Sequence, residues 1–188
     1  MRTGRRDFLK KVCISGICMC GFSPVLFSEE LNKKPDPATT IPDKNQVLIQ
    51  EWISSLLANV DAELDEELAR KLIKKTSIIH YNNLKMDEML SPYIGDMEKF
   101  IGFIQEKWGW KVDYNKAEKM LIADENKNKC ICPISKFRKD VDISAMCYCS
   151  EGFAEKMFST VAGTSATAIV ISSIRRGDER CKYKIVFA

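Results

Sequence analysis

The chain of 188 residues has one histidine, nine glycines and aromatic residues at 9% of its positions. The single histidine, His80, excludes a catalytic zinc site with three histidine ligands. No glycine-rich phosphate loop, G-x-S-x-G elbow or H-E-x-x-H helix is present, so the enzyme classes that depend on them have no motif here. Hydrophobic residues at 45% and charged residues at 29% exclude a wholly disordered chain, a collagen-like fibre and a polytopic membrane protein.

A strong excess of charge of one sign is also missing. The net charge is only +3, and residues 1–28 hold five basic residues against one acidic residue. The remainder therefore carries 24 basic and 25 acidic residues, a net charge near −1. A nucleic-acid-binding domain needs a basic face on its folded part, so we expect no nucleic-acid partner.

The N-terminus has the pattern of a targeting signal. Residues 3–11, TGRRDFLKK, resemble the twin-arginine export signal, and 16 uncharged residues follow at 12–27. This stretch is short for a membrane-spanning helix and suits the apolar part of a signal peptide. The resemblance predicts a signal over residues 1–28, recognition by the twin-arginine translocation machinery, and delivery to the periplasm or the outer face of the cytoplasmic membrane. It also implies a folded cargo that often carries a cofactor. Cleavage after Ser28 and uncleaved anchoring both stay open.

The rest of the chain divides into a linker and one domain. Residues 29–44 are polar and contain Pro35, Pro37 and Pro42, which predicts a linker before a single α+β domain at 45–188. Helices are predicted over 46–60, from an N-cap at Asp61 to about residue 81, and over 96–108. Strands are predicted at 110–114 and 119–123, then a helix at 150–161 and a hairpin of 165–174 with 181–187.

Apolar stripes at helical spacing predict which face of each helix is buried. The stripe of the first helix comprises Val47, Leu48, Trp52, Leu56, Leu57 and Val60. That of the second comprises Leu64, Leu68, Leu72, Thr76 and Ile79, and that of the third Met97, Phe100, Ile101, Ile104 and Trp108.

Cysteine is the one abundant reactive residue. Of eight cysteines, the domain contains Cys130, Cys132, Cys147, Cys149 and Cys181. A C-x-C pair in extended chain directs both side chains to one face, so two such pairs predict a cysteine-held metal centre. Zinc is the first choice, with an iron–sulfur cluster as the alternative and Cu(I) also compatible. The tight spacing allows one cysteine of each pair to ligate while the other packs.

Disulfides and plain thiols stay open as alternatives to a metal. An exported protein meets an oxidising compartment, where one or two disulfides are natural. Five is an odd number, so complete pairing within one chain fails. Unbridged cysteines also pack as ordinary core residues.

Residues 147–153, CYCSEGF, and 174–185, IRRGDERCKYKI, resemble the vinyl-reductase-type small-ligand-binding domain. This domain also occurs in bacterial aromatic-compound sensors and is distantly similar to TRAPP vesicle-tethering subunits. The resemblance implies an α+β fold with N-terminal helices packed on a small antiparallel sheet, and a small-molecule partner. In zinc-containing sensors of this type, Cys147 and Cys181 would match the first and last ligands. The middle ligands fall near Val170 and Ser173, so Cys130, Cys132 or Cys149 would have to complete a different site.

A second resemblance points to enzymes. Ile79-His80-Tyr81, residues 106–110 (EKWGW) and the C-x-C pairs resemble exported bacterial relatives of the L-2-amino-thiazoline-4-carboxylic acid hydrolase group. An alternative to a binding protein is therefore a hydrolase or redox enzyme, in which one cysteine of the C-x-C pairs acts on the substrate and His80 serves as base. The sequence leaves open whether the protein is an enzyme.

Three further residues are candidates for ligand contact. Trp108 and Trp110 are candidates to line an apolar pocket, with core packing as the alternative. Arg176, near the hairpin turn, is a candidate to hold a carboxylate, with a solvated turn as the alternative. The function that the sequence favours is an exported protein that binds a metal, a small ligand or both; a homodimer is left open.

Overall fold

The computed structural model describes residues 44–132 and 144–188. The predicted signal and nearly all of the predicted linker lie outside these residues, as does most of the loop between the two C-x-C pairs. In the described part of the chain, every helix is too short or too polar to cross a membrane.

Helices and strands alternate in two blocks along the described residues. The helices are α1 (Lys44–Glu63), α2 (Glu66–Asn83), α3 (Met86–Leu90), α4 (Met97–Phe103) and α5 (Cys147–Ala162). The strands are β1 (Lys111–Asn115), β2 (Met120–Asp124), β3 (Ala166–Ser172) and β4 (Lys182–Phe187). A π-turn, Ile104–Trp108, extends α4, and single 3₁₀ turns occupy Ser91–Tyr93, Ser144–Met146 and Ile174–Arg176.

The four strands form one antiparallel sheet in the order β1-β2-β4-β3. The helices pack on one face of this sheet, and the main core lies between them. In β4 the predicted alternation is confirmed, because Tyr183, Ile185 and Phe187 are buried and Lys184 is exposed. The predicted fold class is confirmed as well: the protein is α+β, with helices packed on a small antiparallel sheet.

Side chains of α5 accept hydrogen bonds from backbone N–H groups along the outer edge of β3. Three backbone N–H groups of this strand donate to α5 side chains that are four residues apart. The pairs are Val170 with Glu151 at 2.9 Å, Ala168 with Glu155 at 3.0 Å and Ala166 with Ser159 at 2.8 Å. Four residues of helix rise about 6 Å and two residues of strand about 6.8 Å, so the spacings match. We call Glu151, Glu155 and Ser159 the side-chain ladder.

Basic residues of α2 neutralise the ladder's carboxylates. Glu151 is fully buried, and its Oε1 accepts a hydrogen bond of 2.8 Å from Arg70. Lys74 forms an ion pair with Glu155 and lies 3.7 Å from Oε2 of Glu151. Its ammonium group also donates to the carbonyl of Ala168 at 3.3 Å. A buried carboxylate is stable only when it is paired and hydrogen-bonded, so α2, α5 and β3 stabilise one another.

The α2 and α5 backbones approach each other closely at Gly152. A Cβ atom at this position would lie 2.3 Å from the carbonyl oxygen of Lys74 and 2.6 Å from Oγ of Ser77. Both neighbours belong to α2, and the nearer one is backbone. Residue 152 must therefore be glycine for the two helices to pack at this distance.

This close packing corrects the predicted stripe of α2. The residues that α2 buries are Ala69, Ile73, Ser77 and Tyr81. Leu68, Leu72 and Ile79 of the predicted stripe are 41%, 44% and 60% exposed, so that prediction was wrong. Small residues face α5 because the helices are close, and the larger side chains lie beside the contact.

Two other helix predictions have different outcomes. In α1, Leu57 is buried, whereas Leu48 and Trp52 of its predicted stripe are 64% and 65% exposed. The third helix is confirmed: Asp96 accepts a hydrogen bond from the N–H of Lys99, and Gly109 ends the π-turn with a positive φ of 71°. Glycine adopts this left-handed conformation without the cost that a Cβ imposes.

The predicted N-cap of α2, Asp61, is wrong. Asp65, not Asp61, accepts from the N–H of Leu68 at the start of α2. Asp61 lies in α1, which runs further than predicted, and accepts from the backbone N–H and the hydroxyl of Ser144. This contact joins α1 to the turn that precedes α5.

We predict that Gly152→Ala lowers the free energy of unfolding by about 2 kcal/mol. The added methyl group would clash with the carbonyl oxygen of Lys74, and α2 would have to move away from α5 to relieve the clash. The matched control is Gly102→Ala in α4, where a Cβ has nothing within 4 Å. The control should be neutral or stabilising by up to about 1 kcal/mol. Urea unfolding of both variants measures the difference, and equal stabilities would contradict the close helix contact.

Candidate functional site

A cavity of about 100 Å³ lies between α2, the start of α5, the C-terminal end of β2 and the start of β4. All five cysteines of the domain line it. The described residues that line it are His80, Leu84, Glu125, Cys130, Ile131, Cys132, Met146, Cys147, Cys149, Ser150, Val170, Ser173, Cys181 and Tyr183. The structure thus brings together every cysteine that the sequence singled out, and it adds His80.

The second C-x-C pair is helical, which corrects the expectation of an extended chain. Helix α5 begins at Cys147, three residues before the predicted start, so Cys147 and Cys149 lie in its first turn. Two residues along a helix differ in direction by about 200°, whereas two residues along a strand share a face. The two thiols therefore point to different sides instead of forming half of a four-sulfur cage.

One group of cysteines packs against the main core. Sγ of Cys147 is hydrogen-bonded to the buried hydroxyl of Ser173 at 3.0 Å. Cys181, immediately before β4, packs on the same core. Cys130 is an electrostatic neighbour of both, because its thiolate form raises the pKa of Cys147 and of Cys181 further than burial alone does.

The other group packs against a smaller apolar cluster under α1. Sγ of Cys149 lies 3.5 Å from Nδ1 of His80, and Sγ of Cys132 lies 3.7 Å from Sδ of Met146. Both cysteines contact the cluster that contains Leu57. Cys147 and Cys149 therefore lie in different surroundings, one beside Ser173 and the other beside His80.

Burial favours the protonated form of three of the thiols. It raises the pKa of Cys147, of Cys149 and of Cys181, and that of Cys181 reaches about 11. The hydrogen bond between Cys147 and Ser173 and the charge of Arg176 only partly offset this effect at Cys147. Burial also lowers the pKa of His80, so the contact between Cys149 and His80 joins a neutral thiol to a neutral imidazole near pH 7.

Glu125 and Tyr183 are site residues that the sequence analysis missed. The hydroxyl of Tyr183 donates to Oε1 of Glu125 at 2.7 Å. Burial raises the pKa of Glu125, and the bond from Tyr183 offsets this in part. Glu125 directly follows β2 and Cys181 directly precedes β4, so only the pairing of these two strands brings them together.

The remaining predicted contact residues lie near the cavity but outside its lining. Trp110 stacks on Tyr183 with ring centroids 6.3 Å apart, and Trp108 packs on Trp110 at 5.4 Å. Both tryptophans belong to the aromatic core. The guanidinium of Arg176 lies 5.5 Å from the ring centre of Tyr148 and donates to the carbonyl of Val170 at 3.4 Å.

Within residues 44–132 and 144–188, no three His, Cys, Asp or Glu side chains stand together at the spacing of metal ligands. The donor types around the cavity nevertheless suit a soft metal ion, because thiols are its preferred protein ligands. The described cysteines are thiols and not disulfides. Metal binding would require these side chains to close around the ion and to lose their protons.

The model of DUF6144, a family of unknown function, matches residues 41–188. The chain belongs to the DUF6144 family. No curated protein matches its sequence significantly. The named groups that the sequence resembles, the vinyl-reductase-type domain and the hydrolase relatives, remain predictions.

Solved structures are similar to this DUF6144 protein at low sequence identity. A trafficking protein particle (TRAPP) complex subunit 3 from Naegleria fowleri, crystallised with covalently bound palmitic acid, aligns with a TM-score of 0.52 and 11% identity over 77% of this chain and 95% of that chain. The phenol-responsive sensory domain of the transcription activator PoxR, solved with phenol, aligns with a TM-score of 0.44 and 15% identity over 72% and 73%. The first likeness shows that the fold is TRAPP-like.

We predict that alkylation of Cys181 by iodoacetamide in the folded protein keeps accelerating with pH from 8 to about 10.5. The thiolate is the reacting form, and burial raises its pKa to about 11. In the urea-unfolded control the rate should level off near the ordinary cysteine pKa of about 8.5. Peptide mass spectrometry follows the modification, and a plateau near pH 9 in the folded protein would contradict the raised pKa.

Proposed function

We propose that the protein binds a small thiophilic ligand in the cysteine-lined cavity, and that this ligand is a metal ion, zinc in the first place. The convergence of five cysteines from three separate chain segments on one cavity carries the proposal. Thiolates are the ligands of structural zinc, and they also suit Cu(I) and iron–sulfur clusters. A bound ion would connect the segment after β2, the start of α5 and the start of β4.

The size of the cavity supports a small ligand. A dry cavity of about 150 Å³ is enough to bind benzene. The cavity of about 100 Å³ here has room for an ion or a very small molecule, and not for a long acyl chain. The palmitic acid described for the TRAPP subunit is therefore not carried over to this protein.

The raised thiol pKa values give metal binding a definite pH dependence. Each thiol that becomes a ligand releases a proton, so affinity increases as the pH rises. The increase continues above the ordinary cysteine pKa, because the folded protein holds these protons more tightly than a free cysteine does.

A thiol enzyme is the second candidate, and the contact of 3.5 Å between Cys149 and His80 favours it. A neutral imidazole is able to accept the thiol proton when sulfur attacks an electrophile. The raised pKa of Cys149, caused by burial, opposes this function, because the thiolate is scarce near pH 7. His80 would be the base in this mechanism.

We predict that the anaerobically purified, metal-free protein binds one Co²⁺ per chain, with thiolate-to-cobalt charge-transfer absorption and an affinity that rises between pH 6 and pH 8. Each released proton contributes up to about tenfold per pH unit. The double variant Cys147→Ser, Cys181→Ser should lose the absorption, whereas Cys149→Ser should retain it. Elemental analysis of the protein as purified identifies the natural metal.

Failure of wild-type protein to give the charge-transfer band at any pH would overturn the metal proposal. Rapid alkylation of Cys149 in metal-loaded protein, slowed by His80→Asn, would favour the thiol enzyme instead.

We also propose that the twin-arginine-type segment exports the protein to the periplasm or the outer face of the cytoplasmic membrane. The double variant Arg5→Lys, Arg6→Lys should then remain in the cytoplasm of a bacterium that has twin-arginine machinery. Arg2→Lys, which keeps the pair and the total charge, is the control and should be exported. Cell fractionation with an antibody against the folded domain measures where each protein is found. Equal export of the wild type, the double variant and the control would overturn the proposal.

A further inference from the structure

The outward face of α1 is an apolar surface that no other described part of the chain covers. Leu48, Ile49, Trp52 and Leu56 are between 46% and 65% exposed, and they lie on one side of the helix at spacings of three and four residues. We call these four residues the α1 stripe. Single exposed apolar residues are normal on a protein surface, but a continuous stripe that includes a tryptophan marks an interaction surface.

The opposite face of α1 attaches the helix to the rest of the domain. Ser54 and Leu57 are the buried residues of α1. Leu57 belongs to the smaller apolar cluster, which also contains Cys149. Because this face is the one that packs on the domain, the α1 stripe is left to contact another molecule.

The charges of α1 are arranged against its own helix dipole. Its one basic residue, Lys44, is at the N-terminus, and two of its three acidic residues, Asp61 and Glu63, are in the last turn. A helix dipole is positive at the N-terminus and negative at the C-terminus, so each of these charges lies at the end where it is unfavourable. A second helix that runs antiparallel to α1 would place an opposite charge and an opposite dipole end beside each of them.

We propose that α1 packs antiparallel against α1 of a second copy of this chain, so that the protein is a homodimer with a twofold axis near Trp52. In this arrangement the basic end of each α1 lies beside the acidic end of the other, and the two α1 stripes cover each other. A parallel pair would instead place like charges together at both ends. The inference does not depend on the proposed metal-binding function.

The length of α1 suits such an interface. The helix has 20 residues, and a helix of this length spans about 30 Å and is about 10 Å wide. Pairing along this length buries on the order of 1,000 Å² in total, which is the lower limit for a specific interface. We therefore expect a reversible dimer with a Kd in the micromolar range.

The charge of α1 disfavours a membrane surface as the partner. Helices that lie in a membrane interface carry Lys and Arg on their polar face, which anionic lipids attract. In α1 one basic residue stands against three acidic residues, a net charge of −2. These charges favour another copy of the chain over a lipid surface.

The test is sedimentation equilibrium of the full chain under reducing conditions, in which the wild type should form dimers over roughly 1 to 100 μM. Trp52→Glu should weaken dimerisation at least about a hundredfold, because the twofold axis brings two carboxylates into an apolar contact. The matched control is Ile171→Glu. Ile171 lies in β3 and is 51% exposed, so this variant should dimerise like the wild type.

A charge exchange tests the direction of the two helices. Lys44→Glu and Glu63→Lys should each weaken dimerisation about tenfold at low salt, and the double variant that combines them should restore it. Each single change suits the dipole of its own helix, so a loss of helix stability would not explain a weaker dimer.

A wild type that stays monomeric at every concentration would overturn the proposal, and so would a dimer that Trp52→Glu leaves unchanged. Binding of monomeric wild type to phosphatidylcholine vesicles, lost in Trp52→Glu, would overturn it in favour of a membrane partner. Failure of the double charge variant to restore dimerisation would overturn the antiparallel arrangement.

Discussion

The side-chain ladder between α5 and the outer edge of β3 is the contact on which the rest of the structure depends. An edge strand exposes a row of backbone donors that need partners. Side chains of α5 accept hydrogen bonds from three of these donors, as the carbonyl groups of a neighbouring strand would. The accepting residues are Glu151, Glu155 and Ser159. Because two of the three ladder residues are carboxylates, the contact also requires the cations Arg70 and Lys74 from α2.

The ladder sets the position of the cavity. It fixes α5 along its length against β3, and Gly152 allows α2 to approach α5 from the other side. The first turn of α5 is then held between α2 and the start of β4, which is where Cys147 and Cys149 lie. Their different directions on the helix place one thiol beside Ser173 and the other beside His80. The separation of Cys147 from Cys149 is therefore a consequence of helix geometry.

Burial gives this site its chemical character. Thiols in an apolar cavity stay neutral, since ionisation without a nearby cation is costly. The pKa values of Cys147, Cys149 and Cys181 are all raised, chiefly by burial, and His80 is held neutral for the same reason. Such groups are poor nucleophiles near neutral pH, and they would release their protons on binding a soft cation. The electrostatics thus favour the proposed binding site over a thiol enzyme.

The sequence by itself determined the fold class, most of the element boundaries, and the identity of the reactive residues. The alternation in β4, the capped helix beginning at Asp96 and the concentration of cysteine after residue 130 are local patterns, and local patterns follow from backbone geometry and side-chain type. Only the tertiary structure decided which residues meet. The exposed Leu72 and the buried Ser77 reverse the apolar stripe of α2, because a close helix contact selects small side chains over large ones. Glu125 meets Cys181 because β2 pairs with β4, across 56 residues of chain. Contacts at such separation depend on strand pairing and helix packing, which no local periodicity encodes.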